Sequence, residues 1–156
     1  MAAFALLLGL ALAAPAPAPA AEATLLLDTA YEPAVEAAID GAQREVVVGM
    51  YLFKADGPPT SRPRALVRHL REAVRRGVRV RVVLETDGRP GQEVARLNHA
   101  TAVQLRDAGV EVLFDSPRRR SHGKFVVVDR RLCFVGSHNW TQSALHYNHE
   151  VSVRLD

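Results

Sequence analysis

The sequence predicts an α/β fold, a mixed β-sheet sandwiched by helices on both faces, and three features carry that reading. Apolar runs rich in β-branched residues alternate with amphipathic helical stretches through the first three quarters of the chain. Two of the helical stretches stop at glycine, Gly77 and Gly109. The last quarter reads as a hairpin, which adds antiparallel strands to a parallel set. The 156 residues suit one domain, and 48% hydrophobic with 24% charged residues is an ordinary globular balance that argues against wholesale disorder.

Each element follows in order. Thr24–Leu27 is short and apolar and reads as a first strand. Glu32–Gln43 has Pro33 near its first turn and Val35, Ala38 and Ile39 at helical spacing. Glu45–Phe53 is continuously apolar, as expected of a buried strand. Lys54–Pro63 holds Gly57, Pro58, Pro59 and Pro63 and reads as a loop. Arg64–Arg76 places Leu66, Val67, Leu70 and Val74 on one helical face. Val78–Leu84 alternates Val and Arg before turning wholly apolar, which marks a strand. Asp87–Gly91 reads as a loop, Val94–Ala108 as a third helix and Val110–Phe114 as a strand. Ser116–Ser121 is a basic loop. Lys124–Val128 and Leu132–Val135 are strands joined by Asp129, Arg130 and Arg131. Asn139–Tyr147 reads as a short helix or ordered loop, and Glu150–Leu155 as the last strand.

The first 23 residues stand apart. Phe4–Ala14 is an apolar run too short to span a bilayer and of the length of a signal-peptide core, followed by a Pro/Ala stretch. Small residues place cleavage after Ala20 or Ala23, which leaves a catalytic domain over residues 24–156 and predicts a secreted or periplasmic protein. A single cysteine, Cys133, excludes an intramolecular disulfide and a Cys-based zinc site, and its apolar surroundings predict burial. A net charge of +3 permits a polyanionic partner without arguing for one. Of the 20 basic residues only Lys54 and Lys124 are lysine, so a compact ammonium is expected to matter at Lys124, while Lys54 has no assigned role.

The chemistry gathers near the C-terminal end. His122, Lys124 and Asp129 are spaced H-x-K-x4-D, and Gly136-Ser137-His138-Asn139 and Asn148-His149-Glu150 follow. Residues two apart in a strand share a face, so His122 and Lys124 point the same way. An imidazole, an ammonium, a hydroxyl and an amide collected in one volume suit a phosphate: Lys supplies charge, Ser and Asn supply neutral donors, and His serves as nucleophile or proton carrier. Arg118, Arg119 and Arg120 precede His122 and are expected to rim the site as substrate-binding residues for a polyanion. His138, His146 and His149 are expected to be plain polar residues, and Trp140 a packing residue.

H-x-K-x4-D-x6-G-S-x-N resembles the signature of the phospholipase D superfamily. The strand with Tyr51 and Phe53, the Arg76-Gly77-Val78 and Ala108-Gly109-Val110 entries, Asn139-Trp140-Thr141 and Asn148-His149-Glu150 extend the resemblance over nearly the whole mature chain. With one copy of the motif and a signal peptide, the chain is most similar to the small secreted bacterial endonucleases of that superfamily. The resemblance implies a phospholipase D-like fold and a metal-independent phosphodiester transfer needing no cofactor. His122 would attack phosphorus to form a phosphohistidine, and a second His122, from the other subunit of a C2 homodimer, would protonate the leaving oxygen. Lys124 and Asn139 would hold the non-bridging oxygens, Ser137 would assist or orient its neighbours, and Glu150 would accept a hydrogen bond from the ring nitrogen of His122 that does not attack, fixing its tautomer. Asp129 and Gly136 read as structural. The expected substrate is DNA, with RNA as a variant. The alternatives are a phospholipase or phosphatidyltransferase using the same residues, and a non-catalytic nucleic-acid-binding domain.

Overall fold

Seven strands form one sheet in the order β1-β7-β6-β5-β2-β3-β4. The structure, a computed structural model, describes residues 22–86 and 93–156. The strands are β1 (Ala23–Leu27), β2 (Glu45–Met50), β3 (Arg79–Leu84), β4 (Glu111–Phe114), β5 (Lys124–Val128), β6 (Leu132–Gly136) and β7 (Val151–Leu155). The helices are α1 (Tyr31–Gly41), α2 (Arg62–Arg75), α3 (Glu93–Asp107) and the short α4 (Gln142–His146). β2, β3 and β4 run parallel, and β5, β6, β7 and β1 continue the sheet antiparallel. Mixed topology and element order are as the sequence implies. The glycine stops hold too: Gly77 and Gly109 adopt φ of 88° and 83°, the left-handed region that follows a helix end at little cost only for glycine.

The expected loop from Lys54 ends earlier than Pro63, because Pro63 sits in the first turn of α2, where its missing N–H costs nothing. The expected strand to Phe53 pairs regularly only to Met50. Beyond it, Phe53 makes an isolated parallel bridge with Trp140. The Asp87–Gly91 loop and nearly all of the signal segment lie outside the described residues. Ala23, the later of the two cleavage positions, is already paired with Leu155, so cleavage there would cut into β1.

The core lies between the sheet and the helices. Val46, Val48, Val80, Val82, Leu84, Val126, Val128 and Phe134 project from one face onto Val35, Ile39, Leu66, Leu70, Ala102 and Leu105, all buried. Each valine, leucine, isoleucine and phenylalanine among them contributes about 1.5–3 kcal/mol through burial. The helical cover lies on this face. β2-α2-β3 and β3-α3-β4 step in the same direction across the sheet, and right-handed crossovers of that kind put both helices on one side. α1 packs against α2 and β5 in the same layer. On the opposite face a register row, Leu25, Val153, Val135, Phe125, Val83 and Leu113, is only partly covered, with Leu25 60% exposed. A second helical layer is therefore not present among the described residues. The unbroken apolar strands pointed to one because they carry valine and leucine on both faces, whether or not both are covered.

α3 contributes more than its apolar face. Asn98, Thr101 and Gln104 recur at three-residue intervals and take the backbone of the chain leaving β2. Asn98 Nδ2 donates to Tyr51 O at 2.8 Å and to Glu85 O at 2.9 Å, and Phe53 N–H donates to Asn98 Oδ1 at 2.9 Å. Thr101 bonds Phe53 O at 2.6 Å and receives Ala55 N–H at 3.1 Å, while Gln104 Nε2 donates to Ala55 O at 3.0 Å. These bonds satisfy a buried non-strand segment that would otherwise leave its peptide groups unpaired.

Candidate active site

The site forms where β2 and β3 end and β5 begins, at the carboxyl edge of the parallel strands, the usual place for a ligand in an open α/β sheet. Tyr51 N–H donates to Gly123 O at 3.0 Å, which ties the end of β2 to the approach to β5. His122 is exposed on that approach, and Lys124, the first residue of β5, is 7% exposed. Lys124 Nζ donates to His122 O at 2.8 Å and lies 3.2 and 3.4 Å from the two ring nitrogens of His122. The Tyr51 ring closes the group, 4.2 Å from the imidazole between centroids, with Lys124 Nζ 5.1 Å from its own centroid. The shared strand face expected for His122 and Lys124 thus becomes direct contact.

The charges act in one direction on the imidazole. Partial desolvation, then the positive charges of Lys124 and Arg120, hold the His122 pKa below the ordinary histidine value, with Glu85 pulling the other way. The lowered proton affinity favours the uncharged ring, whose lone pair is available for attack or proton transfer. Burial likewise lowers the Lys124 pKa, opposed by the negative charge of Glu150.

Ser137 and Glu150 face each other across the β6–β7 edge. The Ser137 hydroxyl donates to Glu150 Oε2 and accepts Val151 N–H at 3.0 Å. Glu150 Oε1 accepts from Asn148 Nδ2 at 3.0 Å. Within the chain, Glu150 is therefore bonded to Ser137 and Asn148 rather than to the His122 ring, and the bond expected to that ring is not made inside one protomer. Ser137 orients its neighbour with a hydroxyl already engaged on both sides. The two residues line an open concavity of about 380 Å³ with Leu27, Asp28, His149 and Val151. Gly136 permits the close approach of β6 and β7, because a Cβ there would lie 2.3 Å from Val151 O and Ser152 Oγ. Asn139 is half-buried, and its Oδ1 has no partner among the described residues.

The remaining candidates sort clearly. Asp129 is structural: its carboxylate receives the N–H groups of Gln43, Arg44 and Glu45 at 2.8–2.9 Å and so anchors the start of β2. Arg118, Arg119 and Arg120 are exposed on turns before His122, where a polyanion can reach them. His138 is buried, stacked on Tyr31 at 4.2 Å and bonded to Ser152 Oγ at 2.7 Å, which explains its presence without substrate. Trp140 is a packing residue, edge-on to Phe53, with its indole N–H on Tyr31 Oη at 3.2 Å. His146 and His149 are exposed. Lys54 lines a cleft between the starts of α2 and α4, away from this cluster. Cys133 is half-buried on the open sheet face rather than in the core.

Residues 35–156 match the family model described as cardiolipin synthase, PLD-like domain. The chain belongs to the phospholipase D superfamily. The superfamily's mitochondrial cardiolipin hydrolase of Homo sapiens is 41% identical over 75 residues, 48% of this chain and 27% of that protein. Cardiolipin synthase B of Escherichia coli (strain K12) is 31% identical over 122 residues, 71% of this chain and 27% of that protein. The chain thus spans about a quarter of the length of these two relatives. The phospholipase D family member Nuc from Salmonella typhimurium superimposes with a TM-score of 0.70 at 25% identity, covering 87% of this chain and 83% of Nuc.

Two residues of this phospholipase D domain escape the motif. Tyr51 sits against both His122 and Lys124, and its signal was an aromatic just past an apolar strand. Glu85 lies directly after β3, 2% exposed, with Oε2 accepting Ser121 N–H. A carboxylate ending an apolar strand at the carboxyl edge of the sheet was the available signal there. Among the described residues no group of three or more His, Cys, Asp and Glu is placed to hold a metal ion.

Proposed function

We propose that this phospholipase D domain hydrolyses phosphodiesters by a metal-independent, two-step transfer on His122, and that its substrate is nucleic acid. The observation that carries the reading is the contact of Lys124 Nζ with the His122 imidazole, set behind the exposed Arg118–Arg120 loop. A ring nitrogen of His122 attacks phosphorus as the bond to the leaving oxygen breaks, and that oxygen takes a proton from a second histidine. Water then attacks the phosphorus, gives its proton to the second histidine and releases His122. Lys124 neutralises the charge that builds on the non-bridging oxygens, and Asn139 donates to them through its amide N–H₂.

One chain supplies one such histidine, so the reading requires a homodimer with two His122 residues at its axis. Glu150, bonded to Ser137 in its own chain, is then the carboxylate available to the partner's imidazole. The Phe4–Ala14 segment supports action outside the cytoplasm, in the periplasm or after secretion.

A lipid phosphodiester is the second reading, favoured by relatives named cardiolipin hydrolase and cardiolipin synthase. The same side chains would serve it. Purified protein in excess EDTA, offered supercoiled plasmid, RNA and cardiolipin vesicles beside a His122→Ala variant, separates the cases. Nicking by the parent and none by the variant supports the nuclease, and turnover of vesicles alone supports the lipid reading. Nucleic-acid binding without cleavage would point to a binding module, and activity only with Mg²⁺ would overturn the mechanism.

A further inference from the structure

We propose that Glu85 is a positioning residue for His122, holding the Ser121–His122 peptide against the end of β3 and setting a fixed negative charge behind the imidazole. The inference rests on the reading of His122 as the reacting group. Glu85 is buried, yet the attachment of its side chain is incomplete. Oε2 accepts the Ser121 N–H, whereas Oε1 is buried without a partner among the described residues. A buried carboxyl group with half its acceptor capacity unused is costly, and groups held in that condition cluster where a structure works rather than where it is merely held together.

Its surroundings fix where it stands. Asn98 Nδ2 takes the Glu85 carbonyl at 2.9 Å, and the Glu85 N–H reaches Met50 O at 3.3 Å, so the backbone is clamped between α3 and β2. From there the side chain reaches the segment that leads into β5. Ser121, which it binds, immediately precedes His122. Among the described residues, the groups that face the imidazole are Lys124 from β5, Arg120 from the basic loop, Tyr51 from the end of β2 and Glu85 from the end of β3, and Glu85 is the anion of that group. Two cations beside an imidazole make it a poor proton acceptor, and one carboxylate restores part of that capacity. In the proposed homodimer the same residue attacks in one subunit and carries the proton in the other, a pair of roles that calls for an intermediate proton affinity, which this balance supplies.

The test is an NMR titration of the His122 ring in the full chain, beside Glu85→Gln and Glu85→Asp. Gln keeps an oxygen for the Ser121 N–H and removes the charge. The expected result is a proton affinity of His122 about threefold or more lower in Glu85→Gln, that is, about half a pH unit. The acid limb of the pH–rate profile should move down with it, and Glu85→Asp should recover part of the difference. An unchanged His122 titration in folded Glu85→Gln would overturn the proposal, because a strand-end carboxylate of purely structural value would shift Tm alone. If Glu85→Gln fails to fold, Glu85→Asp decides by the same titration: a partial fall supports the proposal and no change overturns it. The titration needs no substrate. Failure of the proposed function, shown by equal activity of the parent and His122→Ala, is therefore read separately.

Discussion

The two ends of β5 carry residues of the same motif and are built in opposite ways. At the turn end, Asp129 has both carboxylate oxygens occupied by three backbone N–H groups of the chain entering β2. At the other end, His122 packs against the Lys124 ammonium, and two buried polar atoms of candidate site residues, Glu85 Oε1 and Asn139 Oδ1, have no partner among the described residues. Satisfied polar groups lower the free energy of the fold, while groups held desolvated and short of partners raise it and are retained for what they do to a ligand. Spacing alone could not separate the two kinds, since H-x-K-x4-D names both ends at once. The hydrogen bonds separate them.

Substitution should reproduce that division. The largest effect is expected of His122→Ala. Loss of the nucleophile should lower turnover by at least about a thousandfold, with Tm unchanged or slightly raised, because the ring is exposed and holds no strand in place. Steady-state rates and a thermal melt on the same preparation check both halves. Next is Lys124→Met, which keeps most of the buried stem and removes the ammonium. Turnover should fall about a hundredfold or more through lost charge stabilisation, and stability should hold, since an ammonium that burial disfavours is replaced by an apolar group. A melt that collapsed with Lys124→Met would place Lys124 with Asp129 as architecture and erase the contrast.

Most of the fold was legible because its determinants are local. Alternating apolar runs, Pro33 near a first turn and Gly77 and Gly109 after helix ends each act within a few residues. The side of the sheet the helices cover was not legible, because it depends on the direction in which successive crossovers step, a property of strand order. The site divided similarly. His122 and Lys124 lie two apart on one segment and could be paired by strand geometry. Glu85 is 37 positions before His122 and meets it only because β2 and β3 are adjacent, and Tyr51 arrives by the same route. Glu150 was legible as a site residue but not in its bonds, since its capture by Ser137 follows from the β6–β7 register.

The turn end supplies the stability predictions. Asp129→Ala should destabilise by about 1–2 kcal/mol, read as a lower Tm, with turnover per folded molecule within about twofold of the parent. The sign with pH is fixed by the carboxylate. Burial alone would raise the Asp129 pKa, but the N–H groups of Glu45, Gln43 and Arg44, with the charge of Arg44, outweigh it and the pKa is lowered. A depressed folded pKa means the contribution is present above the unfolded value near 4 and is lost as pH falls through the folded one. The difference between parent and variant should therefore shrink in melts taken below about pH 4.

The smallest effect tests whether the turn itself is strained. Asp129 and Arg130 both adopt the left-handed region, with φ of 53° and 59°, and Arg131 N–H closes the turn on Val128 O at 3.1 Å. Two successive positive φ angles match the right-handed twist of a hairpin, and Asp-Gly is the pair that adopts them most readily. Arginine pays a Cβ clash at the second position that glycine avoids. Arg130 also pairs with Glu45, but that pair is exposed at the arginine and screened by solvent. Relief of the clash should win, opposed in part by the extra freedom glycine brings to the unfolded chain. Arg130→Gly is expected to raise Tm by about 2 °C and to leave turnover unaltered. A fall in Tm would mean that the Arg130–Glu45 pair, with Asp129 beside it, helps to hold the entry to β2, and the turn end would then owe its stability to charge as well as to the three backbone bonds.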